Sequence, residues 1–255
     1  MNRIDQLFKN KPGNILSVYY TAGFPQLNDT LVILEELEKN GADMVEIGMP
    51  FSDPLADGPV LQDSNQKALE NGMSVQILFN QLKDFRQQIK IPVILMGYLN
   101  PVLRYGIENF CRDASKTGID GIILPDLPLE IYCEEYKPIF EEWGLYMIFL
   151  ITPETSEERI RKTDREGKGF IYMVSTSSTT GERRNIENTQ LNYFKRIRDM
   201  NLTLPALVGF GISSRETFNS ACEHARGAIV GSAFVRTIAS GDLRTNIKEF
   251  VKSIK

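Results

Sequence analysis

Eight short apolar runs, separated by longer stretches of helical periodicity, limit what this chain can fold into more than any other feature. The runs are Ile15–Tyr20, Met44–Ile47, Val93–Met96, Gly121–Leu124, Tyr146–Ile151, Phe170–Val174, Ala206–Val208 and Ala228–Val230. Each has the length of a buried strand and falls short of a core helix. Between them the spacing predicts helices over Leu27–Lys39, Val75–Gln88, Ile107–Thr117, Ile131–Trp143, Ser156–Arg165, Gln190–Met200, Ser213–His224 and Leu243–Ile254. In the first of these, Leu31, Ile33, Leu34 and Leu37 fit one helical face. Such alternation calls for an α/β fold of parallel strands with right-handed crossovers. Eight units in 255 residues suit a closed barrel better than an open sheet, although spacing by itself leaves closure open.

Turn chemistry agrees with this phase. Asn40-Gly41 and Lys116-Thr117-Gly118 sit where helices should stop. Thr155-x-x-Glu158 and Ser213-x-x-Glu216 are capping-box patterns that predict helix starts. No Pro-, Gly- or Ser-rich linker interrupts the chain, so residues 1–255 are expected to form one domain.

Composition removes several function classes. A formal charge of −4 with no Lys/Arg block argues against a nucleic-acid partner. No apolar run approaches the roughly 18 residues of a membrane span, and Met1–Pro12 is too polar for a signal-peptide core. Cys111, Cys133 and Cys222 are odd in number and far apart, as reduced, packed thiols of a cytoplasmic protein would be. The single histidine, His224, rules out a multi-His metal site. It lies two residues from Cys222, off its helical face, so no metal is expected and a structural or surface role is.

In a barrel of this kind the functional groups belong at the C-terminal strand ends and in the loops that follow. Glu46 lies near the end of the second strand, oriented opposite to Val45 and Ile47. If it points into the barrel mouth, desolvation raises its proton affinity toward the working pH, which suits an acid–base catalyst; a structural ion pair is the alternative. Asp53 and Asp57 follow on a loop stiffened by Pro50, Pro54 and Pro59, where each either faces a ligand or closes a turn. Gly209-Phe210-Gly211-Ile212-Ser213 after strand seven and Gly231-Ser232-Ala233 after strand eight are placed to cradle an anion. Neither turn carries Lys or Arg, so the expected contacts are backbone N–H groups and the Ser232 hydroxyl. Ser175–Asn188 is Ser/Thr-rich and then charged, and reads as a solvated loop positioned to act as a lid.

The run Val45-Glu46-Ile47-Gly48-Met49-Pro50-Phe51-Ser52-Asp53-Pro54-Leu55-Ala56-Asp57-Gly58-Pro59 resembles the signature of the tryptophan synthase α-subunit family. Further matches are Thr21-Ala22-Gly23-Phe24-Pro25, Met96-Gly97-Tyr98-Leu99-Asn100-Pro101, Leu124-Pro125-Asp126-Leu127-Pro128 and the two glycine turns above. The resemblance implies a (β/α)8 TIM barrel with extra short helices. It implies retro-aldol cleavage of indole-3-glycerol phosphate to indole and glyceraldehyde 3-phosphate, a step in tryptophan biosynthesis. By motif, Glu46 is then the general acid, Asp57 the partner of the indole N–H, and Tyr172 a third active-site group. Tyr19 and Phe210 line the indole pocket, with core packing the alternative for Phe210, and Tyr98 binds substrate; Gly211, Gly231, Ser232 and, on lid closure, Gly181 hold phosphate. Thr180 would bond Asp57. The implied partner is a pyridoxal-phosphate β subunit in an α2β2 assembly, docked on Asp53, Pro54, Asn100 and Asp126, with no cofactor in this chain. Two departures stand out: Ser178-Thr179 where many relatives carry Gly-Val, and Tyr19 where some carry Phe. Another phosphate-binding barrel isomerase and a non-enzymatic activating subunit are the competing readings; the acidic signature, and the intact Glu46, Asp57 and Thr180, argue against them.

Overall fold

Eight parallel strands close on themselves in chain order: β1 (Ile15–Thr21), β2 (Met44–Gly48), β3 (Val93–Met96), β4 (Gly121–Ile123), β5 (Tyr146–Ile151), β6 (Ile171–Val174), β7 (Ala206–Gly209) and β8 (Gly227–Val230), with β8 paired to β1. The structure is a computed structural model; it describes residues 1–55, 57–175, 183–209 and 211–255, with the side chains of 183–189 outside the described set. Closure, which spacing left open, is thus settled. β3 and β5 have the bounds the apolar runs predict, and the other strands differ by one residue at an end.

Among the described residues the first helices are α1 (Arg3–Asn10), α2 (Asp29–Lys39), α3 (Pro59–Glu70), α4 (Val75–Gln81), α5 (Leu99–Tyr105) and α6 (Ile107–Thr117). They continue with α7 (Leu129–Ile131), α8 (Lys137–Glu142), α9 (Glu157–Glu166), α10 (Arg183–Asp199), α11 (Arg215–Cys222), α12 (Ser232–Ile238) and α13 (Leu243–Ile254). No helix among the described residues is long and apolar enough to cross a membrane.

Strand alternation sorts the core into two parts. Outward residues such as Val18, Val45, Ile47 and Leu95 pack beneath the helices. Inward residues, among them Ile15, Met44, Ile94, Ile148 and Leu207, fill the barrel. Ile4, Leu7 and Phe8 of α1 join the inner group and plug its N-terminal end. Asp120 secures that end: it accepts from Arg3 at 2.9 Å, from the Val93 amide at 2.8 Å and from Arg86, and is 3% exposed.

Several local expectations are corrected. The helix expected over Val75–Gln88 stops at Gln81, because Asp84 takes a left-handed φ of 66° and the chain resumes as a short turn at Phe85–Gln87. The helix expected to begin at Ile131 starts at Leu129 and widens over Tyr132–Tyr136. Pro138 has no N–H to return to the preceding turn, which relaxes the helix there. The caps sit one residue later than the sequence patterns suggest. Ser156 caps α9, and Ser214 with Thr217 forms the capping box of α11. α10 starts at Arg183, inside the segment expected to be loop. Its first turns, Arg183-Arg184-Asn185-Ile186-Glu187-Asn188, are mostly polar in sequence, which hid the helix start; among its described side chains Tyr193, Phe194 and Ile197 are buried. His224 is half-buried, with its ring 5.5 Å from that of Phe194, in keeping with a structural role.

Candidate active site

Glu46 faces the barrel interior. Its neighbours Val45 and Ile47 pack outward, and across the ladders it pairs with Tyr19 of β1 and Ile94 of β3. The residue has no exposed surface. The Ser17 hydroxyl donates to its Oε1 at 2.9 Å, while Oε2 meets no hydrogen-bonding partner among the described residues. Burial pushes the carboxyl from its ordinary 4.5 up to about 8, with the Ser17 bond pulling the other way. Among the described residues the structural ion pair is set aside: desolvation and a hydroxyl, not a cation, govern this group.

Asp57 lies on the loop between β2 and α3, half-buried. The loop is tied to the scaffold by backbone and amide bonds. The Met49 amide donates to the Met96 carbonyl at 2.7 Å, the Phe51 amide to Asn65 Oδ1 at 3.1 Å, and Gln62 Nε2 to the Asp57 carbonyl at 2.9 Å. Desolvation pushes the Asp57 carboxyl up to about 6, opposed by the Tyr98 hydroxyl, which donates to Oδ2 at 3.4 Å.

A cavity of about 510 Å³ opens at the C-terminal mouth. Asp57, Tyr19 and Tyr172 form one part of its wall, and Gly211, Gly231 and Ser232 another. A narrower, mainly apolar recess of about 40 Å³ adjoins it, sharing Tyr19, Asp57 and Met96 and adding Met49, Tyr98 and Leu150. Glu46 itself is not part of either wall. It stands beside Tyr19 in the β1–β2 register, and its charge raises the proton affinity of both Tyr19 and Tyr172, which burial already drives upward. Both phenols stay neutral. Glycine makes their placement possible: a Cβ on Gly48 would stand 2.1 Å from the Tyr19 hydroxyl, and one on Gly209 within 2.4 Å of the Tyr172 ring.

The two glycine turns differ. Gly231 directly precedes α12, so amides free of intrahelical acceptors border the cavity. Gly211 does not open a helix; it takes φ of 75° in a loop, and α11 begins only at Arg215. Sequence reasoning missed two contributions. Arg236, one turn into α12, is the sole cation among the described residues lining the cavity. The apolar recess draws Met49, Met96 and Leu150 from three separate segments. Arg236 lies four residues beyond Ser232, on the same helical face, and that spacing was the available signal. Thr180, Gly181 and Phe210 lie outside the described residues.

Asp53 and Asn100 are exposed and Pro54 is half-buried. A groove of about 640 Å³ runs between Phe51–Ser52 and Asn100–Arg104. Asp126 is also exposed and is engaged within the chain, accepting the Leu99 amide at the start of α5 at 2.9 and 3.0 Å. Among the described residues no group of three His, Cys, Asp or Glu side chains could hold a metal ion.

A closed eight-stranded parallel barrel with buried carboxyl chemistry and a pocket at the strand C-termini defines a (β/α)8-barrel enzyme class. Within that class, comparison with known proteins is specific. The chain belongs to the tryptophan synthase alpha chain family, whose profile matches residues 6–254. It is 54% identical over 254 residues to the tryptophan synthase alpha chain of Flavobacterium psychrophilum, covering 100% of both chains. The crystal structure of the tryptophan synthase alpha chain from Legionella pneumophila superimposes with a TM-score of 0.87 at 35% identity, covering 100% of this chain and 96% of that one. A chain of the tryptophan synthase complex from Pyrococcus furiosus matches with a TM-score of 0.84 at 34% identity, covering 94% and 97%.

Proposed function

We infer that the mouth cavity houses the family's reaction. The chain is a lyase of tryptophan biosynthesis that cleaves indole-3-glycerol phosphate to indole and glyceraldehyde 3-phosphate, the indole passing to a β subunit. The observation that carries the site assignment is the single cavity bounded by Asp57 and two neutral phenols on one part of its wall and by the Gly231–Ser232 turn on another.

The proposed chemistry follows from what each group can do. The C–C bond breaks only if the indole ring can take its electrons, and protonation at C3 makes the ring an electron sink. Glu46, neutral at pH 7, delivers that proton to a ring reaching it between Tyr19 and Tyr172. Asp57, ionised above about pH 6, accepts from the indole N–H and stabilises the positive indolenine. The Glu46 carboxylate then takes the proton of the adjacent glycerol hydroxyl. The aldehyde forms, the bonding pair returns to the ring, and Glu46 ends protonated as it began.

The phosphate is placed on the amides of Gly211, Gly231 and Ser232 and on the Ser232 hydroxyl, with Arg236 adding charge. The ring is placed in the recess of Met49, Tyr98 and Leu150. Pyridoxal phosphate is assigned to the β subunit and none to this chain. The groove beside Asn100, with Asp53, Pro54 and Asp126, is the proposed docking face in a cytoplasmic α2β2 assembly. The test is indole release from indole-3-glycerol phosphate with and without a β subunit. Glu46→Gln and Asp57→Asn each lower turnover by orders of magnitude in a folded chain; near-normal turnover in Glu46→Gln removes the proton shuttle.

A further inference from the structure

Ser17 stands out inside the barrel. It is a hydroxyl in the otherwise apolar or aromatic run Ile15-Leu16-Ser17-Val18-Tyr19-Tyr20, and it has no exposed surface. It sits on the inner face between Ile15 and Tyr19, opposite Met44 in the β1–β2 ladder and hence diagonal to Glu46. Its Oγ donates to Glu46 Oε1 at 2.9 Å, and Oε2 is left as a buried oxygen with no partner among the described residues. We propose that Ser17 is a positioning residue for the reaction: its hydroxyl fixes Oε1 as the accepting oxygen and so makes Oε2 the oxygen that carries and delivers the proton.

The reasoning is electrostatic and geometric. A carboxylic acid has one carbonyl oxygen and one hydroxyl oxygen. A donor fixed on Oε1 favours the form with the proton on Oε2. When the proton leaves, the same hydrogen bond becomes charge-assisted and shortens. Ser17 therefore stabilises the state in which C3 has been protonated more than the resting state, and only such differential interactions accelerate the step. The titratable groups that face Glu46 are the phenols of Tyr19 on β1 and Tyr172 on β6, both neutral; Asp57 at the mouth acts on the same two phenols. On the barrel side Met44 and Ile94 are apolar. Among the described residues no cation acts on Glu46 as the Ser17 hydroxyl does.

This inference rests on the reading of Glu46 as proton donor, and the experiment separates the two. Ser17→Ala removes one oxygen from a site that needs no other change in shape. The Glu46 carboxyl is titrated by ¹³C NMR in protein labelled at glutamate, with the resonance assigned by its loss in Glu46→Gln. In Ser17→Ala the midpoint rises above the native value by about one pH unit, the scale of one hydroxyl–carboxylate bond. The basic limb of the kcat profile moves up with it, and kcat at pH 7 falls roughly tenfold while KM stays within about twofold. An unchanged or lowered midpoint, or a fall in kcat with no movement of the limb, overturns the role of Ser17 while leaving Glu46 as donor. Activity retained in Glu46→Gln overturns the donor reading itself.

Discussion

Replacing Glu46 by Gln should make the protein more stable as it makes it inactive, and by an amount that depends on pH in a defined way. The folded state holds this carboxyl at about 8, against an ordinary 4.5. Its folded-state value is raised, so the folded protein binds a proton that the unfolded chain has released. Stability therefore falls as pH rises through that window and is level outside it. At about 1.36 kcal/mol per pH unit, the loss is about 3 kcal/mol by pH 7 and about 5 kcal/mol above pH 8. Gln has the shape of the neutral acid, and its carbonyl can accept the Ser17 hydroxyl in place of Oε1. It does not ionise. Urea denaturation of the native chain and Glu46→Gln, run side by side from pH 5 to pH 9, should give nearly equal free energies at the acid end. The variant should gain about 3 kcal/mol at pH 7, with its Tm raised by roughly 6–12 °C. A difference that stays constant across this range, or favours the native chain at pH 8, would refute desolvation as the source of the raised proton affinity.

The activity profile should mirror the same groups with opposite signs on its two limbs. Glu46 must be protonated and Asp57 ionised, so kcat/KM should be bell-shaped, falling below about pH 6 and above about pH 8, as stopped-time indole assays across pH will show. Tyr98→Phe removes a donor from Asp57 and should move the acid limb upward without shifting the basic one. Arg236→Gln should raise KM for indole-3-glycerol phosphate about tenfold with kcat nearly unchanged, and flatten the dependence of KM on ionic strength. At the opposite end, Asp120→Ala leaves the buried Val93 amide without its acceptor and removes the carboxylate partner of Arg86, which keeps the Gly118 and Ile91 carbonyls. It should cost about 1–3 kcal/mol in denaturation while leaving KM alone.

How much of this was legible in the sequence follows from what each feature depends on. Strands such as Val93–Met96 and Tyr146–Ile151, buried on both faces, wrote themselves as apolar runs, and helices α6 and α13 carried clear periodicity between stop and start signals. Helices with weaker signals were not located: α3 and α5 flank the mouth, and α1 hides behind a polar composition even though Ile4, Leu7 and Phe8 share a face. Glu46 and Asp57 were legible because they sit on a continuous motif. Ser17 was not, because its meaning depends on which residues the closed barrel brings alongside it; Arg236 offered only its four-residue spacing from Ser232, which says nothing of a cavity until α12 is placed at the mouth. A serine in a strand is unremarkable until the ladder register sets it diagonal to a buried carboxyl.

The same register explains why the site carries a thermodynamic conflict. A position on the inner face of β2 is dry: Glu46 has no exposed surface, Met44 and Ile94 belong to the core around it, and Tyr19 is its register partner on β1. Dryness is what lets a glutamate remain protonated at neutral pH, so the property that suits it to chemistry is the one that burdens the fold. A residue better for stability exists at this position, and under the proposed mechanism any such residue ends proton transfer. Asp57 escapes most of the conflict by standing on a loop at the rim, where partial exposure leaves it ionised at neutral pH. The division of labour between the two carboxyls is therefore set by depth along the barrel axis. Admitting water near Glu46, for instance with Tyr172→Ala in the cavity wall, should lower the Glu46 titration midpoint toward ordinary values. Turnover above neutral pH should fall along with it.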